Sequence, residues 1–160
     1  MKKSYIPTIN ISKLNLENIN SKNNVILKQI QKACIDVGFF QIVGHGIEKN
    51  LIKKITKTAH IFFNSRIKNK YKLAPKKWNK FNKNVYRGYF PSDVNGKEGL
   101  DIGDPRISSF FVKKNKRTKI EKLNLSKSLN KNSIQIINKY YSEIFNLSEL
   151  LFKTIISLSK

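Results

Sequence analysis

Hydrophobic and polar residues alternate with two different periods along this chain, and the periods predict both helices and strands. Apolar residues spaced three and four apart predict long helices over 25–37, 48–64 and 133–158. A shorter helix is expected over 65–72, because Pro75 disfavours helical backbone just before it. The last helix has the broadest apolar stripe, and such a stripe needs a large packing partner.

Short β-branched and aromatic segments predict the strands. The stretch 5–12 alternates apolar and polar residues, and Pro7 within it indicates an edge strand or a strand start. Residues 39–43 follow Gly38, which fits the position after a helix, and they predict a buried strand. Further extended segments are expected over 85–90 and 101–112. The pattern therefore predicts an α+β fold.

Composition indicates a folded protein in the cytoplasm. Hydrophobic residues make up 39% of the chain, which is enough for a core. No apolar run is long enough for a transmembrane span, and no apolar segment follows the basic start as in a signal peptide. The single cysteine, Cys34, excludes an internal disulfide, and we expect it to be a small buried residue on a helix face. Without a long linker, we expect one domain over residues 1–160.

The net charge of +22 has two interpretations. It is typical of proteins that bind nucleic acid or another polyanion. It is also typical of compositional drift, because only four of the 32 basic residues are Arg and the lysines are scattered along the chain. The aromatic and basic residues do not interleave as in recognised single-strand or RNA-binding motifs. Because of the charge alone, a small, highly basic nucleic-acid-binding protein stays the alternative hypothesis.

Candidate catalytic and metal-binding residues are few. A two-histidine, one-carboxylate iron site needs His-x-Asp/Glu and a second histidine, but the residue two positions after His45 and after His60 is apolar. We expect His45, between two glycines, to form a strand-to-helix turn in which its ring bonds nearby backbone. His60 is expected to be partly buried.

The remaining polar residues match no known site. Three acidic residues in the segment KEGLDIGDP fit no calcium-loop spacing, so we expect no cation there: Glu98, Asp101 and Asp104. No nucleophile elbow or phosphate-binding loop is present in the sequence. We therefore predict no catalytic residue and no metal ligand in this chain.

The order of several motifs resembles a known family. IPTINIS, QKACIDVGFFQIVGHGI, HIFFNS, YRGYFP and KEGLDIGDP together resemble the N-terminal region of the Fe(II)/2-oxoglutarate-dependent oxygenases, closest to the isopenicillin N synthase-like enzymes. The resemblance covers roughly residues 5–158, and Asn10 stands where the family usually has Asp. Its most specific part is a structural motif of five residues: Gly38, Phe39, Phe40, His45 and Gly46.

This resemblance implies a helical cap whose few strands extend the sheet of a double-stranded β-helix, or jelly roll. In the family, the jelly roll supplies the iron ligands and the arginine that binds 2-oxoglutarate. Most of this barrel is expected to be missing here, so the chain alone is predicted not to be catalytic and to bind no cofactor. Fe(II) and 2-oxoglutarate are implied for the complete enzyme, with a missing or separately encoded jelly-roll domain as partner. Arg87 and Tyr89 are implied to bind the small-molecule substrate.

Overall fold

A computed structural model of the chain describes residues 6–19, 24–92, 96–104, 110–113, 116–118 and 123–158, with the side chains of 110–118 left aside. The elements, in chain order, are β1 (Thr8–Asn10), α1 (Val25–Asp36), β2 (Gln41–Val43), α2 (Lys49–Phe63), α3 (Ile67–Tyr71), β3 (Gly88–Phe90), β4 (Gly99–Asp101), β5 (Phe110–Lys113), β6 (Lys116–Thr118), a 3₁₀ turn (Leu125–Lys127) and α4 (Lys131–Ser157). The predicted mixture of helices and short strands is confirmed. None of these helices is long and apolar enough to cross a membrane.

The chain divides into two compact units. Unit 1 comprises residues 1–48 and 142–160, and unit 2 comprises residues 49–141. The boundary falls within α4, so the first part of this helix belongs to unit 2 and the second part to unit 1. The expectation of a single domain stays a prediction.

Unit 1 is built around a parallel strand pair and an aliphatic core. Strands β1 and β2 pair in parallel, with Ile9 opposite Ile42. Among the described residues, the buried members of this core are all aliphatic: Ile9, Ile11, Leu14, Ile19, Leu27, Ile30 and Ala33. The second part of α4 packs against it through Leu147, Leu150 and Leu151, and Leu158, directly after the helix, packs there as well. Part of the apolar stripe on the last helix is therefore covered within this unit.

Helix α1 begins and ends within one residue of its predicted range. The Asn24 side chain accepts a hydrogen bond from Ile26 N at 3.0 Å and caps the first turn. At the other end, Val37 N and Gly38 N both donate to Ala33 O, at 3.1 and 3.0 Å. Gly38 has φ of +79°, which confirms its predicted place after the helix.

Two expectations about burial in unit 1 were wrong. Cys34 is exposed, because the buried face of α1 is formed by Leu27, Ile30 and Ala33, and Cys34 lies about 100° around the helix from Ala33. Residues 39–43 are not a buried strand: Phe39 is 70% exposed, and the two outer residues of β2 are exposed as well. β2 pairs only with β1 among the described strands, so it lacks the neighbours that bury a central strand.

Unit 2 has a core that mixes aromatic and aliphatic side chains. Its buried members are Phe62, Leu73, Ala74, Tyr89, Leu125, Leu129 and Ile137. The antiparallel pair β3–β4 places Tyr89 opposite Leu100. Helix α2 buries Leu51, Thr58 and Phe62, which leaves His60 exposed instead of partly buried as expected. Of the extended segment predicted over 101–112, residues 105–109 lie outside the described residues.

Candidate functional site

The RGY segment is held in place by the backbone of residue 73. Gly88 begins β3 with φ of +122°, and a Cβ atom on it would collide with the carbonyl oxygen of Leu73. That oxygen accepts hydrogen bonds from Tyr89 N at 3.1 Å and from Asn84 Nδ2 at 3.3 Å. Only glycine fits this contact, so the glycine fixes the positions of the two residues beside it.

Tyr89 lies in the core of unit 2. Its side chain is 1% exposed, and its ring makes edge contacts with Phe62 and tilted contacts with Tyr71, at centroid distances of 6.0 and 5.7 Å. Its hydroxyl donates to Glu98 Oε2 at 2.7 Å. The residue therefore fills the core and joins β3 to the segment before β4. Its predicted role in substrate binding stays a prediction.

A buried lysine completes the polar contacts of Tyr89. Lys70 Nζ donates to Glu98 Oε2 at 2.7 Å and to the backbone oxygen of Phe63 at 3.0 Å, and it lies 5.3 Å from the centre of the Tyr89 ring. The hydrogen bond from Lys70, followed by that from Tyr89, lowers the pKa of the Glu98 carboxyl. Lys70 and Tyr89 are buried and Glu98 is partly exposed, and we call these three residues the Lys-Tyr-Glu cluster. Sequence reasoning missed Lys70, because one lysine carries little signal in so basic a chain.

Arg87 faces a different acidic residue. Its Nη1 donates to Asp101 Oδ1 at 2.6 Å, and the same oxygen accepts a hydrogen bond from Gly103 N at 3.2 Å. A Cβ atom on Gly103 would approach Arg87 Nε to 2.8 Å, so the glycine lets its backbone lie against the guanidinium. About a third of the Arg87 side chain is exposed. This arrangement can bind a carboxylate, and Asp101 supplies one.

Two acidic residues of KEGLDIGDP form ion pairs with different basic side chains. Glu98 pairs with Lys70, and Asp101 pairs with Arg87. Within the described ranges, no three His, Cys, Asp or Glu side chains form a group that could hold a metal ion. The described His, Asp and Glu side chains therefore do not fit an iron centre of two histidines and a carboxylate.

His45 lies in the turn between β2 and α2. Its Nδ1 accepts a hydrogen bond from Ile47 N at 3.1 Å, and both flanking glycines have positive φ. A Cβ atom on Gly44 would collide with Asn10 Oδ1, and that oxygen accepts from Ser12 N at 3.0 Å. The asparagine at the family's usual Asp position therefore closes a tight loop beside this turn. In the same motif, Phe40 packs on the aliphatic core, whereas Phe39 is exposed.

The comparison with protein families decides the assignment. Residues 6–139 match the family model described as the N-terminal region of the non-haem dioxygenase in morphine synthesis. The chain belongs to this family of non-haem dioxygenase N-terminal regions. The match includes α1, β2 and α2, the RGY segment and most of the loops between them.

Individual relatives of this dioxygenase region include a synthase, an oxidoreductase and a hydroxylase. It is 28% identical to an isopenicillin N synthase of Streptomyces griseus over 155 residues, which are 94% of the chain and 46% of that protein. It is 37% identical to a probable iron/ascorbate oxidoreductase of Dictyostelium discoideum over 62% of the chain and 31% of that protein. A homoarginine-6-hydroxylase of Arabidopsis thaliana is 34% identical over 44% of the chain and 22% of that protein. The chain spans less than half the length of these curated relatives.

Proposed function

We propose that this chain forms the substrate-side part of a 2-oxoglutarate/Fe(II)-dependent oxidoreductase of the isopenicillin N synthase-like family. The family match over residues 6–139 carries the proposal. A jelly-roll domain would hold Fe(II) and 2-oxoglutarate, because the described residues of this chain offer no fitting ligand set. The chain by itself would have no oxygenase activity. Its cytoplasmic location stays a prediction.

The outer face of α4 supports a partner domain. Phe152 is 65% exposed, and Ile155 and Ile156 beside it are also exposed, although the opposite face of this helix packs on the aliphatic core. Positions three and four apart lie on the same side of a helix, so these residues form one apolar stripe. Exposed apolar stripes mark interaction sites. The jelly-roll domain would cover this stripe.

Arg87 would bind a substrate carboxylate in place of Asp101, its present partner. The guanidinium is partly exposed and lies against the backbone of Gly103, and its planar shape suits a two-point contact with a carboxylate. Tyr89, the second candidate, would reach a substrate only if its bond to Glu98 opened. Its main contribution would be to hold β3, and thereby Arg87, in position.

The absence of activity in the isolated chain is tested by measuring carbon dioxide release from 2-oxoglutarate. We expect the purified chain with Fe(II) to release carbon dioxide no faster than Fe(II) in buffer alone. Decarboxylation above that background would contradict the proposed division between this chain and a jelly-roll domain.

The role of Arg87 is tested by titrating the chain with glutarate, a simple dicarboxylate, while following the arginine Nε–H resonances by NMR. Binding should move the Arg87 resonance, and it should be lost in Arg87→Gln but kept in Arg66→Gln, which changes an exposed arginine elsewhere in unit 2. Asp101→Asn removes the competing carboxylate and should tighten binding severalfold. Equal binding by Arg87→Gln and the unmodified chain would exclude this role.

A further inference from the structure

One surface loop of unit 2 places lysines beside aromatic rings. We call residues 75–87, with the sequence PKKWNKFNKNVYR, the Lys-aromatic loop. Phe81 is 84% exposed and Tyr86 is 62% exposed. Lys77 Nζ lies 4.8 Å from the centre of the Trp78 ring, and Lys80 Nζ lies 5.4 Å from the centre of the Phe81 ring. Each pair brings a cation next to a flat apolar face.

Three asparagines fix the conformation of this loop. Asn79 Nδ2 donates to Tyr71 O at 2.9 Å, and Asn82 Nδ2 donates to Ala74 O at 2.7 Å. Asn84 Nδ2 donates to Leu73 O at 3.3 Å. These bonds tie the loop to the last residue of α3 and to the segment after it, while Lys80, Phe81 and Lys83 between the asparagines stay at the surface. A loop held in this way displays its lysines and rings without a large ordering cost on binding.

The charge around the loop has one sign. From residue 49 to residue 92 the sequence contains eleven Lys and two Arg but no Asp or Glu. Compositional drift accounts for many lysines, but it does not require that acidic residues be missing from one long stretch. A surface of this kind attracts polyanions by Coulomb forces and by the release of their counterions.

We propose that the Lys-aromatic loop binds single-stranded nucleic acid. Unpaired bases would stack on the exposed rings of Phe81 and Tyr86, and Lys77, Lys80 and Lys83 would contact the phosphates. Trp78 contributes less, because its ring packs edge-on against Phe90 at 5.5 Å in the core of unit 2. The loop matches no recognised single-strand or RNA motif, but it places lysines and aromatic rings side by side.

Two other polyanions fit the loop less well. Binding to an anionic membrane surface requires a continuous apolar face. Within the loop, only Val85 adds exposed aliphatic surface between asparagines and lysines. Double-stranded nucleic acid keeps its bases stacked on each other, so it gives the exposed rings no partner. The inference is independent of the proposed oxygenase function, since neither Arg87 exchange nor a jelly-roll domain enters it.

The test measures binding of a fluorescent 15-residue oligothymidylate to the full chain by anisotropy at about 150 mM salt, where bound phosphates still contribute. Phe81→Ala should weaken binding about 5- to 150-fold, the value of one base stack, and leave the salt dependence unchanged. The double variant Lys77→Gln/Lys80→Gln should reduce the slope of log K against log salt by about 1.4.

Matched controls come from unit 1. Phe39→Ala removes a phenylalanine that is also largely exposed, and Lys13→Gln/Lys28→Gln removes two exposed lysines, and neither should alter the affinity by more than about twofold. Equal losses for Phe81→Ala and Phe39→Ala would overturn the proposal, and so would equal affinity for a 15-base-pair duplex. Binding to phosphatidylserine vesicles that needs Phe81, with oligonucleotide binding that does not, would identify a membrane surface and also overturn it.

Discussion

The two units of this protein stabilise their interiors by different means. In unit 1 the described residues of the hydrophobic core are aliphatic, and the strands beside them pair through backbone hydrogen bonds. In unit 2 the core mixes aromatic and aliphatic residues, and the buried Lys70 and Tyr89 both donate hydrogen bonds to the partly exposed carboxylate of Glu98. A core of the first kind requires only apolar residues at the right period, whereas the second also requires particular partners at particular distances.

This difference matters for tolerance to substitution. Aliphatic cores accept apolar replacements of similar volume with small losses of stability. A polar network is stable only when all its members are satisfied, because a buried donor left without an acceptor keeps its full desolvation cost. The Lys-Tyr-Glu cluster also holds β3, which directly follows Arg87, so in unit 2 the same contacts serve the core and the candidate site.

The largest expected effect is that of Tyr89→Ala. The substitution removes a fully buried ring and leaves Glu98 without one of its two donors, so we expect a loss of about 3–5 kcal/mol in the free energy of unfolding. Urea unfolding measures it, with Phe81→Ala as a control that removes an exposed ring from the same unit. An equal loss for Phe81→Ala would contradict the inference that the buried Tyr89 ring and its hydrogen bond to Glu98 stabilise unit 2.

Ile30→Ala tests the aliphatic core of unit 1. Ile30 is fully buried, and its truncation leaves a cavity, so the expected loss is about 2–5 kcal/mol. Ile30→Val should recover most of the stability, because an aliphatic core needs volume and not a specific partner. Ile35→Ala, on the exposed side of the same helix, should change the free energy of unfolding by less than about 0.5 kcal/mol. A loss for Ile30→Val near that of Ile30→Ala would show that this core also depends on exact shape.

The smallest expected effect is that of Glu98→Gln. We expect a loss of about 1–2 kcal/mol near pH 7, since Lys70 then lacks a charged partner while the Glu98 side chain stays partly hydrated. Folding lowers the pKa of Glu98 below its ordinary value of 4.5, so its contribution is complete above that pH and is lost as the pH falls through the lowered pKa.

Thermal unfolding of both forms between pH 7 and pH 3 measures this dependence. The difference between the unmodified chain and Glu98→Gln should shrink below about pH 4.5. Glu149→Gln is the matched control, because Glu149 pairs with Lys153 on the exposed surface of α4 and its loss should have little effect at any pH. A difference that stays constant with pH would show that the cluster acts by packing alone.

Several features followed from the residues themselves. The three long helices lie within a few residues of the predicted ranges, and Gly38 ends α1 with positive φ as predicted. These features depend on local periodicity and on single backbone positions, which are visible in a linear sequence. The family was also recognisable, because the order of its motifs is a property of the sequence.

Other features needed the three-dimensional structure. Cys34 and His60 lie next to apolar helix positions, and which side of a helix is covered depends on what packs there. Glu98 and Asp101 form one acidic cluster in the sequence. In the structure, Glu98 pairs with Lys70, 28 positions away, and Asp101 pairs with Arg87, 14 positions away. Long-range pairing of charged side chains leaves no periodic trace.

The sequence by itself therefore determined the helices, the turn glycines, the excess of positive charge and the membership of a dioxygenase family. Only the tertiary structure decided which carboxylate meets which cation, which rings are buried and which loop displays lysines and rings together. The reason is physical: backbone conformation responds to near neighbours along the chain, whereas burial and ion pairing depend on residues that folding brings together from distant positions.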